Sequence, residues 1–350
     1  MYVANSIKKA GIRTKSFSYY VHPFGYPCDH DNILFNNPFP KPEKRNFFQK
    51  FIINKYTLRY LRVLQKLLLL AHSLLLYDTF IFISHETFFI NNKDLWLIRF
   101  LKKKIAFLFV GCPERDPTDI INQTDRGICS FCNDIGKQNF LNCYNGIKKK
   151  KKIEYISRFA DIIFSHRDTT SFILEKKKIK TFYCLTYPNT NRDEVLKKFK
   201  DSNEFVISHL PSNSLLKGTD SVRKAIDNIR SKGMKFQFIS DRVNHSEIGA
   251  LLNKSHILID QFSIGHGLLS VEGMANGCVV ICRTANWFKA DFPELPVISC
   301  EPEELGDILI DLLSNPEKML TIALKSLEYY QKYHTPEVVG NYYKNILELN

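Results

Sequence analysis

One stretch, Ser255 to Arg283 (SHILIDQFSIGHGLLSVEGMANGCVVICR), limits what this chain can fold into. A short apolar run at 257–259 precedes a loop with Gly265 and Gly267. An amphipathic segment runs to Ala275, Gly277 stops it, and a second apolar run covers 279–282. That order predicts strand, loop, helix, strand. A glycine loop opening a helix lets backbone approach a ligand closely, and the helix start offers unpaired N–H groups and partial positive charge to an anion such as a diphosphate. Glu272 follows about a turn into the helix. A carboxylate beside an anion site is suited to accept hydrogen bonds from vicinal ribose hydroxyls. The stretch therefore predicts a nucleotide-diphosphate pocket.

Gly267, Leu268, Glu272, Met274, Ala275, Asn276, Gly277 and the apolar run from Val279 resemble, in register, the nucleotide-binding element of GT-B glycosyltransferases, in particular the retaining family 4-like group. That group carries a first glutamate eight residues before the second; Ile264 stands there in this chain. Asp260 and Gln261 resemble the Asp-Gln of a divergent branch. The resemblance implies that Glu272 binds ribose and that Gly265, His266, Gly267 and Leu268 meet phosphate. It also implies an α/β chain with two Rossmann-like, doubly wound domains facing across a cleft.

Length and charge agree with two domains. The chain has 350 residues, 44% hydrophobic and 24% charged, enough for two cores. Its net charge of +13 is uneven: residues 1–190 hold 31 basic against 15 acidic side chains, and the remainder 18 against 21. A basic first half suits an anionic lipid surface or a lipid-diphosphate acceptor, with nucleic acid as the rival. The rival expects basic residues interleaved with stacking aromatics around a cysteine knuckle. Lys137 is the one basic residue between Phe131 and Tyr144, so no nucleic acid is expected. Met1 leads into a polar segment, and Leu67 to Ile83 is interrupted by His72 and Asp78, so neither a signal peptide nor a spanning helix is expected. The expected location is cytoplasmic, peripheral on the inner membrane face.

Three divisions follow: residues 1–187 as an acceptor-binding domain with an insertion at 112–144, residues 188–335 as the nucleotide-sugar domain, and residues 336–350 as a helix crossing back. Residues 2–10 read as a helix stopped by Gly11, and 14–21 as a strand. The strand and glycine turn that open the family's first domain have no counterpart before that helix. Their loss would leave a gap in the sheet centre. One expectation is a start codon set too far downstream; the other is a variant that fills the gap differently.

In the first half, His22 lies in a Pro- and Gly-rich loop that either lines an acceptor site or packs at the surface. Residues 47–76 read as a long helix with Lys55, Arg59, Arg62 and Lys66 in one stripe and Leu58, Leu61, Leu64 and Leu68 in another. It is either an interfacial helix or one packed on the sheet with a solvated basic face. Lys148 to Lys152 is likewise a solvated face or part of a membrane-facing patch. Strand 79–84 ends at His85, where the resemblance implies a histidine near the reacting sugar; a hydrogen-bonded structural role is the alternative. Strand 105–110 ends near Glu114 and Arg115, candidates on the acceptor side. Arg115 could hold a phosphate through two hydrogen bonds or form a surface ion pair. Cys112, Cys129, Cys132 and Cys143 form an inventory for one structural zinc, with free buried thiols as the alternative.

In the second half, the strand at 205–209 leads to Lys217-Gly218, which matches the family's Lys-Gly; His209, Ser212 and Asn213 stand where its arginine would be. Lys217 is the diphosphate candidate, because a cation at a helix start is otherwise unfavourable. The resulting expectation is a glycosyltransferase that uses His85, Lys217 and Glu272 for transfer from a UDP- or GDP-sugar to a hydroxyl of a glycan or lipid-linked acceptor. It needs no cofactor for chemistry. The resemblance implies retention of configuration and a place in surface polysaccharide or glycolipid synthesis. The alternative is a degenerate scaffold that binds nucleotide or glycan without turnover.

Overall fold

The computed structural model describes residues 2–18, 32–33, 55–111, 113–116, 146–187, 190–262 and 265–349. The first half begins with helix α1 (Tyr2–Lys9), closed by Gly11 at φ 85°, a left-handed conformation open to glycine without steric cost. Strands β1 (Phe17–Ser18) and β2 (Asn32–Ile33) pair in parallel. Helix α2 (Lys55–Leu76) leads to β3 (Thr79–Ile83), α3 (Asp94–Phe100) to β4 (Lys104–Leu108), and α4 (Gly146–Phe159) to β5 (Ile162–Phe164) and then β6 (Ile179–Lys180).

These last four strands form a parallel sheet in chain order, β3-β4-β5-β6. In β4 every residue from Ile105 to Leu108 is buried, the continuous apolar run of a strand covered on both faces. Among the described residues no strand joins the β1–β2 pair to β3, and Ile83 at the end of β3 is half exposed.

The second half runs α5 (Arg192–Lys200), β7 (Val206–Ser208), α6 (Ser214–Lys217), α7 (Thr219–Ser231), β8 (Gln237–Ile239), α8 (His245–Lys254), β9 (Ile257–Ile259), α9 (Leu268–Ala275) and β10 (Val279–Ile281). Its parallel sheet has the order β10-β9-β7-β8. Helix α9 lies directly on β9: a Cβ on Gly273 would stand 2.5 Å from Leu258 Cδ2. Helices α10 (Asn286–Asp291), α11 (Leu305–Ser314), α12 (Pro316–Tyr333) and α13 (Pro336–Ile346) follow. Val339 and Tyr343 of α13 are buried with Ile7, Ala106, Leu108 and Phe164, so the chain's last helix packs against α1 and the first sheet. The contact leaves no room for a side chain at Gly340, where a Cβ would meet the Ser6 carbonyl oxygen at 2.2 Å.

Several sequence expectations are corrected. The last strand, expected at 297–300, is reduced to a single bridge between Ile298 and Ile281. The strand expected at 181–185 lies earlier, at β6. In α2 the sheet-packed reading fails for the leucine stripe. Leu61, Leu64 and Leu68 are 41%, 52% and 62% exposed, whereas Leu69, Leu70 and Ser73 are buried. The helical period puts Lys66 on the buried side, opposite those leucines. Burial lowers the Lys66 pKa, while Glu86 and Asp94 oppose that shift. The basic stripe thus turns toward the body at Lys66, and the apolar stripe turns outward.

Candidate functional site

In both sheets the loops that follow the strand C-termini carry the polar side chains, as expected of open parallel sheets. In the second sheet, β9 ends at Asp260, whose carboxylate is fully buried. Its Oδ1 lies 2.5 Å from Lys217 Nζ, and its Oδ2 accepts a 2.6 Å hydrogen bond from Ser270 on the first turn of α9. Burial alone would raise the Asp260 pKa, but Lys217 and Ser270 outweigh it and hold the group below the ordinary carboxylate value. Lys217 therefore sits beside the start of α9, held there by a carboxylate. Gly218 follows at φ 72° against Phe262.

His209, which stands near the position of the family's arginine, is structural. It is buried, with Nδ1 2.9 Å from the Ile259 carbonyl and Nε2 2.9 Å from the Thr219 hydroxyl. Burial lowers its pKa.

The loop into α9 turns through Gly265 at φ 44°, where a Cβ would stand 2.7 Å from the Phe288 ring. Gly267 caps the helix, and Leu268 begins it. Glu272 is buried, with Oε1 2.8 Å from Nε2 of His245, the first residue of α8. The Tyr2 hydroxyl of α1 lies 3.4 Å from the same nitrogen. The carboxylate expected to bind ribose thus already has a partner, contributed by the turn after β8.

Where the sheet edges approach one another, aromatic rings join them. His166, just after β5, has its ring centroid 5.9 Å from that of Phe288 in α10, and His266 of the glycine loop is 5.0 Å from the same ring. His334 lies 5.9 Å from His266 and donates through Nδ1 to the Cys184 carbonyl at 2.6 Å; as a carbonyl only accepts, Nδ1 carries the proton. Burial pushes His334 down to about 4, against the Cys184 hydrogen bond and with help from His166. Burial, with His334 and His166 nearby, also lowers His266 well below the ordinary imidazole value. His256, buried behind β9, accepts from the Val206 N–H at 3.0 Å and falls to about 4 through burial and the nearby Lys198.

These shifts fix a sign. The fold keeps His334 and His256 neutral, while the unfolded chain takes up their protons below about pH 6.5. Stability is then complete above that pH and falls as pH drops toward 4, by about 2 kcal/mol per histidine at pH 5. Thermal unfolding at pH 7.5 and pH 5 is expected to show a clearly lower midpoint in acid, and His256→Gln a shallower dependence.

At the first sheet's edge, His85 and Glu114 come together. Glu114 is fully buried, its Oε1 accepts from the Ser84 hydroxyl, and it lies 3.0 Å from His85 Nδ1. Arg115 is paired with buried Asp168 through Nε, which favours its ion-pair reading over a free phosphate ligand. His22, Cys112, Cys129, Cys132, Cys143 and Ile264 lie outside the described residues. Among the described residues no group of His, Cys, Asp and Glu side chains is arranged to hold a metal, and no helix is long and apolar enough to cross a membrane.

Sequence reasoning did not reach His245, His166, His334 or Phe288. His245 had a signal, since it opens the helix after β8 and so lies past a strand C-terminus, where an open parallel sheet carries its ligand loops. The others gave none, because their neighbours are far away in the chain.

No family model matches the chain, and no curated protein matches it by sequence. Solved structures do match in fold. Sucrose-phosphate synthase from Thermosynechococcus elongatus is 13% identical, with 99% of this chain and 91% of that one covered at a TM-score of 0.59. WaaG, a glycosyltransferase involved in lipopolysaccharide biosynthesis, is 10% identical, with 99% and 94% covered at 0.57. Anabaena HepE in complex with UDP-glucose is 13% identical, with 81% and 82% covered at 0.53. The chain therefore has the GT-B architecture.

Proposed function

We propose that this protein is a glycosyltransferase that moves a sugar from a nucleotide-diphosphate donor to a hydroxyl of a glycan or lipid-linked acceptor. One observation carries the reading: Asp260 bridges Lys217 to Ser270, so a cation and the start of α9 share one point, with Glu272 half a turn further on. A diphosphate placed there meets Lys217 and the N–H groups at 265–268, and its ribose falls toward Glu272. As the sugar leaves, charge building on the diphosphate is stabilised by groups already in place. UDP in the HepE complex favours a uridine donor, and GDP is the competing choice. In this reading residues 188–335 bind the donor, residues 1–187 the acceptor, and residues 336–350 tie the two together.

The second reading, a scaffold that binds nucleotide without turnover, is favoured by the His245 contact on Glu272. Thermal unfolding with UDP, GDP, ADP and CMP tests the pocket. A ligand at 100 times its dissociation constant stabilises by about 2.7 kcal/mol. One diphosphate is expected to raise the midpoint, and no shift with any would contradict both readings.

For the acceptor side we propose membrane contact through the outward leucines of α2, including Leu64, Leu68 and the 83% exposed Leu75. The full chain is expected to sediment with anionic phospholipid vesicles and Leu64→Glu/Leu68→Glu to remain in solution. Equal sedimentation of both would contradict the contact.

A further inference from the structure

The ribose end of the donor pocket is held from both halves of the chain. His245 Nε2 lies 2.8 Å from Glu272 Oε1, and the Tyr2 hydroxyl lies 3.4 Å from the same nitrogen. An ionised carboxylate only accepts, so Nε2 carries the proton and donates it to Glu272. The three groups come from three elements: Tyr2 opens α1 in the first half, His245 opens α8, and Glu272 stands in α9. The His245 and Glu272 side chains are only 12% and 8% exposed, and a hydrogen bond to an ionised group is among the strong ones.

Each member is fixed by its own surroundings. The Asn244 N–H donates to Glu247 Oε2 at 3.0 Å and so closes the first turn of α8, which carries His245. Glu272 is placed by α9, where Gly273 lies against Leu258 and Asn276 Nδ2 donates to the Glu272 carbonyl at 2.7 Å. Helix α1 is tied to α13 by the Lys9–Glu337 ion pair at 2.8 Å, and Lys9 Nζ also lies 5.1 Å from the centre of the Tyr187 ring. The Tyr2 ring stands 5.9 Å from that of Tyr187 and 6.3 Å from that of His245. A ring from the first half thus lies beside the imidazole that touches Glu272.

An ionised carboxylate has about four lone-pair sites, and one N–H fills one of them. Two vicinal ribose hydroxyls need two more, so His245 and ribose fit on Glu272 together. What the imidazole removes is rotation of the carboxylate, a freedom that an unheld glutamate loses only when ribose arrives. We propose that His245 is a positioning residue that sets the Glu272 carboxylate for the hydroxyls of the donor ribose, with Tyr2 of the first half as its support. The inference rests on the donor-pocket reading above and concerns binding rather than the transfer step. It makes the ribose end of the pocket a joint product of both halves.

The test is calorimetry on the full chain with UDP against 2′-deoxy-UDP and GDP against 2′-deoxy-GDP, in wild type, His245→Ala, His245→Asn, His245→Gln and Tyr2→Phe. Wild type is expected to prefer the ribonucleotide about 10- to 100-fold, as loss of a hydrogen bond to a charged group implies. His245→Ala is expected to weaken the ribonucleotide about tenfold and the deoxynucleotide less than about twofold, so the preference shrinks; a merely structural loss would weaken both alike. His245→Asn, whose amide is too short to reach Glu272, should behave as His245→Ala does. His245→Gln, whose amide N–H reaches the place of Nε2, should recover most of the preference, and Tyr2→Phe should lower it about threefold. An unchanged preference in His245→Ala and His245→Asn, or tighter ribonucleotide binding in either, overturns the proposal, and so does a His245→Gln no better than His245→Asn. An unchanged preference in Tyr2→Phe overturns the supporting role of Tyr2 alone. A wild type that binds ribo- and deoxynucleotide equally removes ribose from Glu272 and overturns the proposal while the diphosphate site stands, whereas a wild type that binds none of the four overturns the pocket together with it.

Discussion

Lys217→Ala is expected to destabilise the fold by about 3–5 kcal/mol, as removal of one partner from a buried ion pair does. Asp260 is fully buried, and the Lys217 side chain is only 16% exposed. Without the ammonium, Asp260 keeps its hydrogen bond from Ser270 and loses the charge that holds its pKa down. Burial would then drive the carboxyl toward its neutral form. Urea unfolding at pH 7.5 measures the loss, and Lys217→Ala/Asp260→Asn is expected to regain most of it. A single variant as stable as wild type would mean that the pair is solvated and that Lys217 is not held at the α9 start.

Glu272→Ala is the second large effect, and it falls on binding. Hydrogen bonds to a charged group contribute about 1.5–3 kcal/mol. Losing those from ribose should weaken nucleoside diphosphate binding about 10- to 100-fold, read by calorimetry. The variant also removes the Glu272 contact from His245 Nε2. If His245 only blocks the site, His245→Ala should bind more tightly than wild type; if it supports ribose, it should bind more weakly. Unchanged affinity in Glu272→Ala would place the ribose elsewhere.

The second half of the fold was legible because its signals are local. The apolar runs at β9 and β10, the glycine loop and the Gly277 stop lie within thirty residues, and their periodicity survives without tertiary context. The site was legible residue by residue but not in its pairings. Lys217 and Asp260 are 43 residues apart, and Glu272 and His245 are 27 apart, so no spacing rule could join them. Helix α2 misled for a different reason. Its period is clear, but a period assigns stripes and not their directions, and here the leucines face outward. Helices α3 and α10, at seven and six residues, are too short for periodicity to mark. The 297–300 run has strand composition, yet only Ile298 finds a partner.

Donor turnover is the most direct test of the central claim. The full chain, incubated with UDP-glucose, UDP-N-acetylglucosamine and GDP-mannose, is expected to release nucleoside diphosphate from one of them, and Glu272→Ala and Lys217→Ala to release it far more slowly. Binding of a nucleotide with no release from any sugar donor, in the wild type and with glycan and lipid-linked acceptors added, would contradict the account and leave the non-catalytic scaffold.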